Sequence, residues 1–593
     1  MFELPRYPFV RPSDLDEVAG PQRYPLVIVG AGLTGLTLAL DLVRRGHRVL
    51  VLDDDDTVGV RGLASRGMVW AQRTLDIFHR LGVGEKIVSK GVTWNVGRVL
   101  CRDAEVTSFR LQQEPDLRFN GFTNLQQYYV EQFLVDALRA TGQADLRWLN
   151  RVEDVRPRGD AEPVELEVST PEGRYRMLAD WVVGCDGSSS RVRDGLGLAP
   201  VVFDRTEDRW IIIDIVAKNA DIPEERWTWL DCSANFGRAV WRHRMADGTW
   251  RLDFQMSPHE DAEQAASEAG MRERVRRLLG PAVAFDIAWS GVWQYRHESL
   301  ASYRHGRVLF AGDAAHVVSP FGARGGNGGI QDADALGWRL SLVLSGRAAP
   351  SLLDQYSDER HQAAMENIRQ TRRSARFVHP ADQPSAALWR ETIVALASRH
   401  PLAARMINTG RLSAPAVYGG RRRGAAAARA GAAEGVGAAA GVGAAGVGAA
   451  GVGAAGVGAA GVGAAGVGAA GAGGSAQAPV NAAVGRALPN VRLRSGDAPR
   501  YLHDLLGHGF TALSFDEGGD CPQPEPHAPG EDALRRVNVR ACCDDAGWAA
   551  LERQLPAPPA GVWLIRPDGH VLSTDISSDP AQQHAALEEV LTP

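Results

Sequence analysis

From Tyr24 to Asp53 the chain reads YPLVIVGAGLTGLTLALDLVRRGHRVLVLD, and its apolar positions change period twice. LVIVG is an unbroken apolar run, as in a strand covered on both faces. Leu33, Leu36, Leu40 and Val43 then recur at helical spacing, and Gly46 stands where a helix would end on a glycine. RVLVLD is a second unbroken run. The segment predicts a strand–helix–strand unit in an α/β body.

Between Arg209 and Met256 the pattern becomes that of a sheet. WIIIDIVAK and GTWRLDFQM read as strands, and Asp247-Gly248 between WRHRM and TWRLDF is a hairpin signal. Trp210, Trp227, Trp229, Trp241 and Trp250 fall here, most of them expected as packing of that sheet. Further on, VLFAGDAAH is a buried strand running into a glycine-rich loop, and Ile330, Leu336, Leu340 and Leu344 mark a helix after it. Toward the C-terminus FTALSFD, RVNVRAC and VWLIRPDGHVLS read as strands of a small α/β module, with turn chemistry at Pro567-Asp568-Gly569.

At 593 residues the chain exceeds one ordinary core, so about two to four domains are expected. GVGAA repeats between Gly435 and Ala470 interrupt it. This run is longer than the roughly 20 apolar residues of a membrane span, but it lacks Leu, Ile and Phe, and its unit matches neither helix nor strand period. Each glycine costs a helix interior roughly 1 kcal/mol. The expectation is a flexible linker. The net charge of -6 and the lack of a basic stripe argue against nucleic-acid binding, and Arg421-Arg422-Arg423 reads as a solvated boundary. Six cysteines without a C-x-x-C or a zinc spacing predict a reduced, cytoplasmic protein without a metal, and Cys542-Cys543 are expected as a buried strand pair. The N-terminus has no basic start before an apolar core, so it reads as a surface extension, not a leader.

Three constellations carry chemistry. Gly30-Ala31-Gly32-Leu33-Thr34-Gly35 follows a strand and opens a helix, the context in which G-x-G-x-x-G cradles a dinucleotide pyrophosphate. Asp53 ends the next strand, where a carboxylate accepts from ribose hydroxyls. Asp186-Gly187 ends another apolar strand and by itself is an ordinary turn. Gly312-Asp313 and the glycines from Gly322 to Gly329 expose backbone N–H groups before a helix, an environment that favours a group becoming negative. Arg324 adds a positive charge there.

The order G-x-G-x-x-G, then D-G, then G-D-A-A-H with VVSPFGARGGN resembles the single-component FAD-dependent aromatic hydroxylases of the para-hydroxybenzoate hydroxylase family. FTNLQQYYVEQFLVDAL and ERWTW…WRLDFQM are similar to the subgroup of 3-(3-hydroxyphenyl)propionate and polyketide hydroxylases. VGRALPNVRL and VWLIRPDGHV resemble the thioredoxin-like appendage some members carry, here without C-x-x-C. The implied fold is α/β: a Rossmann-like FAD-binding domain, an inserted mixed β-sheet substrate domain, and a C-terminal thioredoxin-like module after a flexible linker. The expected boundaries are an extension at 1–23, FAD binding at 24–200 and 300–375, substrate binding at 201–299, helices at 376–423, linker at 424–475 and module at 476–593.

The resemblance implies that Gly30, Gly32, Leu33, Thr34 and Gly35 approach the FAD pyrophosphate and that Asp53, where the family usually has Glu, binds the adenosine ribose. It further implies that Arg66 and Gln127 contact FAD, that Asp186 lies near the pyrophosphate, and that Asp313 binds the ribityl chain. Pro320, Gly322, Gly325, Gly326 and Asn327 would flank the isoalloxazine. The family's loop reads G-G-Q-G-L-N or G-A-K-G-L-N; G-A-R-G-G-N puts Gly326 in place of Leu, an expected loosening.

The implied reaction uses NADH or NADPH and O2 to hydroxylate a phenolic substrate through a flavin C4a-hydroperoxide. The substrate expected is a 3-(3-hydroxyphenyl)propionate-like acid. The general base is unassigned, and the candidate catalytic residues are Arg324, His316 and Pro320. A homodimer is a family expectation, and no membrane or nucleic-acid partner is expected. The alternatives are a flavoprotein dehydrogenase or reductase without oxygen insertion, and a non-catalytic flavin-binding scaffold. A halogenase motif fails at Leu230-Asp231.

Overall fold

The computed structural model describes residues 3–16, 20–59, 68–111, 116–119, 121–159, 162–219, 222–378, 384–407, 413–418, 482–494, 499–516, 534–556 and 559–591. Arg66, the Arg421–Arg423 cluster and the GVGAA linker lie outside the described residues.

A six-stranded sheet forms the centre, in the order Arg304–His305, Val308–Phe310, Val182–Gly184, Val27–Val29, Val49–Leu52, Ala144–Arg147. All its pairs are parallel except the first. Its apolar runs are buried along their whole length because helices cover both faces. The helix Leu33–Arg44, called here the dinucleotide helix, packs on the helix Gly325–Leu344, called here the loop helix. Gly46, at φ +89°, stands just past the end of the first of these.

The strand–helix turn admits no side chains at two of its glycines. Gly30 has φ +106°, and a Cβ there would lie 2.5 Å from the Cys185 carbonyl oxygen. A Cβ at Gly35 would lie 2.0 Å from the Gly30 carbonyl oxygen.

The second sheet has eight strands, in the order His316–Val317, Phe285–Ser299, Val201–Ala217, Thr249–Gln255, Arg238–Arg244, Arg226–Cys232, Val96–Cys101, Ala104–Arg110. The Asp247-Gly248 hairpin is present, with φ of +57° and +70°. One face, with Ile211, Ile213, Ile215, Val240, Leu252 and Phe254, packs on the helix Glu268–Leu279. Trp229 and Trp250 belong to that core, whereas Trp210 and Trp241 stack at 4.6 Å on the other face, beneath Phe321 of the glycine-rich loop. The sheet is also tied to the body by Asn124 Nδ2 donating to the Arg244 carbonyl (2.9 Å) and by the Tyr129 hydroxyl donating to Asp247.

The N-terminal extension runs along the surface and is anchored at two points: Tyr7 stacks on Trp148 at 4.5 Å, and Asp14 is buried against Arg147 at 2.9 Å. Three expectations are corrected. RVNVRAC is a strand only as far as Asn538; the Asn538 side chain accepts from the Ala541 N–H and starts the helix Val539–Cys542. Cys542-Cys543 are thus no strand pair. Nor are the described cysteines all free: Cys542 is disulfide-bonded, while Cys101, Cys185, Cys232 and Cys543 are free.

The C-terminal module holds a four-stranded sheet, in the order Arg535–Asn538, Thr511–Ser514, Val562–Ile565, Val571–Ile576. Its first pair is parallel and the others antiparallel. Among the described residues no helix is long and apolar enough to cross a membrane.

Gly35→Ala should lower the melting temperature, by a loss on the order of 3 kcal/mol, because the clash is with backbone that cannot turn aside. Differential scanning calorimetry checks this, and wild-type melting would refute the close approach.

Candidate active site

Gly30, Asp53, Asp186 and Asp313 all follow strands of the central sheet, at the carboxyl edge where open α/β sheets bind ligands. Gly32 caps the dinucleotide helix without a side-chain hydrogen bond. A Cβ on it would meet only Glu131 Oε1, at 3.9 Å. The Leu33 N–H, the first of the helix, reaches the Glu131 carboxylate, and the positive end of the helix dipole lies behind it. Leu33 is buried, and Thr34 Oγ1 points to Gly312 and Gly329, so neither side chain is turned to a ligand.

Asp53 accepts from the N–H groups of Ala31 and Asp55. Burial pushes its carboxyl up to about 7 despite those bonds. Asp186 Oδ2 accepts from the Val192 N–H at 3.1 Å, while its buried Oδ1 has no partner, an acceptor that a ligand hydroxyl can fill. Gln127 Nε2 donates to Glu131 Oε1 at 2.7 Å, and the Gly59 N–H donates to Oε2 at 2.7 Å. Glu131 is fully buried beside the start of the dinucleotide helix, and burial raises its carboxyl to about 7. The sequence reading missed it; its i+4 spacing from Gln127 on one helix face was the available signal.

At the other end of the cleft, Gly312 turns at φ +63° and leaves the Asp313 carboxylate exposed. The Gly312 N–H donates to Asp332 Oδ2 at 2.9 Å. Pro320 is exposed, Gly322 has φ +81°, and Ala323 adopts φ +55°, strained for a residue with a Cβ. Arg324 is buried at the cap of the loop helix, and its Nη1 donates to Asn367 Oδ1 at 2.8 Å, so its side chain is turned inward. Gly325 and Gly326 form the uncapped first turn of that helix.

The Asn327 side chain is fully committed to protein. Its Oδ1 accepts from the Ala71 N–H (2.9 Å) and Thr74 Oγ1 (2.6 Å), and its Nδ2 donates to the Val69 (2.8 Å) and Ala323 (2.7 Å) carbonyls. A Cβ at Gly326 would make ordinary contact with Leu33 at 3.4 Å and Trp70 at 3.5 Å. His316 is buried behind the loop helix, with Nε2 2.7 Å from Asp332 Oδ2 and its ring stacked on Tyr303. Arg360 holds the other oxygen of Asp332 at 2.6 Å, and these two partners depress that carboxyl to about 2 against its burial.

Two helix N-termini thus face one cleft, with three carboxylates at strand ends. Residues 23–371 match the model of an FAD binding domain, and residues 481–593 match that of the aromatic-ring hydroxylase C-terminal region. The chain belongs to the FAD-dependent aromatic-ring hydroxylases. Among similar proteins, the 3-(3-hydroxy-phenyl)propionate/3-hydroxycinnamic acid hydroxylase of Mycolicibacterium smegmatis is 31% identical over 394 residues, 65% of this chain and 67% of the relative. The 6-methylpretetramide 4-monooxygenase of Streptomyces rimosus is 32% identical over 347 residues, 58% of this chain and 60% of the relative. The curated matches thus span about two thirds of the relatives' length or less. The fold is also that of the flavin-dependent monooxygenase PieE, solved with FAD and substrate, at a TM-score of 0.68 and 21% identity, covering 97% of this chain and 99% of that one.

The residues present fit FAD as the hydroxylase's cofactor. The open cap at Gly32 suits the pyrophosphate, Asp53 a ribose, the unfilled Asp186 oxygen a hydroxyl, Asp313 the ribityl chain, and the loop-helix N-terminus the redox end.

The buried Glu131 makes the cofactor-free protein pH-sensitive. Its folded pKa is raised to about 7, so the folded state holds a proton that the unfolded state has lost, and stability falls as pH rises from about 4.5 to 7. Glu131→Gln should be more stable than wild type at pH 8, by on the order of 2 kcal/mol, and no more stable at pH 4.5. Urea unfolding of the apo forms at both pH values checks this; equal gains at both would remove the titration as cause.

Proposed function

We propose that this hydroxylase acts on a phenol carrying a carboxylate, held between the flavin loop and the eight-stranded sheet. The observation that carries the reading is a row of polar side chains across the flavin-facing side of that sheet. Asp214, Arg251 and His243 stand directly opposite one another on three adjacent strands. Arg226, one residue before the Trp227–Arg242 pair, extends the row onto the next strand. Arg251 is engaged with Asp253 at 2.7 Å. Burial and the two flanking arginines hold His243 well below its usual value, so it is neutral at pH 7.

Arg226 makes no hydrogen bond or ion pair among the described residues, and its guanidinium lies 5.8 Å from the Trp94 ring. Burial lowers it only to about 10, so it stays charged. A half-buried guanidinium whose buried Nε has no partner is matched by a carboxylate, which accepts two guanidinium donors at once. Phe321, Trp210, Trp241 and Tyr295 supply an aromatic wall beside the loop.

FAD, held by the cleft described above, would supply the redox chemistry, passing electrons from NADH or NADPH to O2, of which one atom would enter the ring and the other leave as water. The chain holds the ring against the loop and keeps water from the site. Residues 24–200 and 300–375 serve as the FAD-binding unit in this reading, and 201–299 as the substrate wall, with Val96–Arg110 extending its sheet. The strand order of the C-terminal module supports a thioredoxin-like reading of 476–593. Reliance on reduced nicotinamide supports a cytoplasmic location.

The test is NAD(P)H oxidation by the FAD-loaded protein, with product and peroxide recorded together. The substrates are 3-(3-hydroxyphenyl)propionate, its amide and a neutral polycyclic phenol. The acid should stimulate oxidation and yield product. Arg226→Met should raise its KM about 10- to 100-fold and leave kcat within a few-fold. Equal turnover of the amide, or preference for the neutral phenol, would overturn the carboxylate. Oxidation without hydroxylated product would favour a reductase.

A further inference from the structure

We infer that the C-terminal module is a positioning element for the flavin loop, acting through a short strap, residues 413–418, and a buried ionic chain. This rests on the flavin reading of the cleft.

The strap touches the loop at one end and the module at the other. The Ser413 N–H donates to the Gly322 carbonyl at 2.8 Å, and the Tyr418 N–H donates to the Gly485 carbonyl at 3.0 Å. A Cβ on Gly485 would lie 1.7 Å from the Tyr418 carbonyl oxygen, so the two backbones meet without room for a side chain. The Tyr418 ring packs against His570 of the module at 4.8 Å.

The Tyr418 hydroxyl accepts from Arg360 Nη1 at 2.8 Å. Arg360 reaches the first turn of the loop helix through the Gly328 carbonyl (3.1 Å) and reaches Asp332 (2.6 Å). Asp332 in turn accepts from the Gly312 N–H, beside Asp313. A continuous chain of bonds therefore joins the module to both backbone segments at the redox end of the cleft.

The module's own turn braces the far half of the loop helix. Asp568 is fully buried and accepts from Trp338 Nε1 at 3.2 Å, and its carbonyl accepts from Arg73, which also holds Asp334 at 2.8 Å. Arg566 donates to Glu359 Oε1 at 2.7 Å, and Arg339 donates to the other oxygen of Glu359 at 2.8 Å. Module, loop helix and the helix Leu352–Val378 are thus locked by carboxylates that each hold two donors.

A fastening that served stability alone would not need to end on Gly322, Gly328 and Gly312. Tyr418, Arg360 and Asp568 are accordingly positioning residues, and none of them belongs to the FAD cradle or the substrate wall.

The experiment uses the full chain as holoenzyme, with Tyr418→Phe and Asp568→Asn. Four quantities are read: melting temperature, FAD Kd by fluorescence titration, the visible flavin spectrum, and peroxide formed per NAD(P)H oxidised. Tyr418→Phe removes one oxygen and keeps the ring contact, so it should melt near wild type. It should weaken FAD several-fold, perturb the flavin band and raise the peroxide fraction at least threefold, with substrate KM unchanged. Asp568→Asn should move the same quantities in the same direction. Wild-type FAD affinity, spectrum and peroxide fraction in a folded Tyr418→Phe would overturn the inference, and so would losses that only track melting in both variants. If wild type binds FAD yet hydroxylates no phenol, the substrate reading fails, while FAD affinity and spectrum still decide this one.

Discussion

The crossing of the dinucleotide helix over the loop helix governs the geometry around it. A Cβ at Gly329 would lie 2.4 Å from Thr34 Oγ1, and one at Gly337 would lie 2.0 Å from Asp41 Oδ2. Neither position has room for a side chain, so the helices approach at backbone distance. That approach brings two helix N-termini to the same edge of the parallel sheet, one for a diphosphate and one for a group that gains charge on reduction. Gly312 closes against the same threonine, which couples the position of Asp313 to both helices.

Around this crossing the chain buries carboxylates that each engage two basic side chains. Asp41 takes Arg45 and Arg80, Asp334 takes Arg73 and Arg80, and Asp332 takes His316 and Arg360. Buried pairs of this kind add little net stability, because desolvation offsets the attraction. Losing one member leaves a charge stranded in the interior, so the clusters restrict how the helices can be arranged more than they strengthen the fold.

The parts of the site legible in the sequence are those set by local backbone. The glycines at 30, 32 and 35, the acid at 53 and the Gly312-Asp313 turn each sit within a few residues of the strand that places them. What escaped the reading depends on long-range register. Val96–Cys101 and Ala104–Arg110 fall inside the expected FAD-binding range of 24–200, and only their pairing beside Arg226–Cys232 joins them to the eight-stranded sheet. Asp214, Arg251 and His243 are far apart in sequence, and their row exists only once three strands align.

Tyr418 and Gly485 bond to each other directly, at 3.0 Å, across the whole GVGAA stretch. Residues 418 and 485 therefore meet at one point, and the module's seat is set by that interface rather than by the length of chain between them. The entropy of closing a loop grows only logarithmically, about 0.6 kcal/mol for each doubling of length. The number of pentapeptide units consequently has little energetic bearing on where the module sits, and a shorter or longer repeat would leave the contacts on either side of it to hold the enzyme's shape.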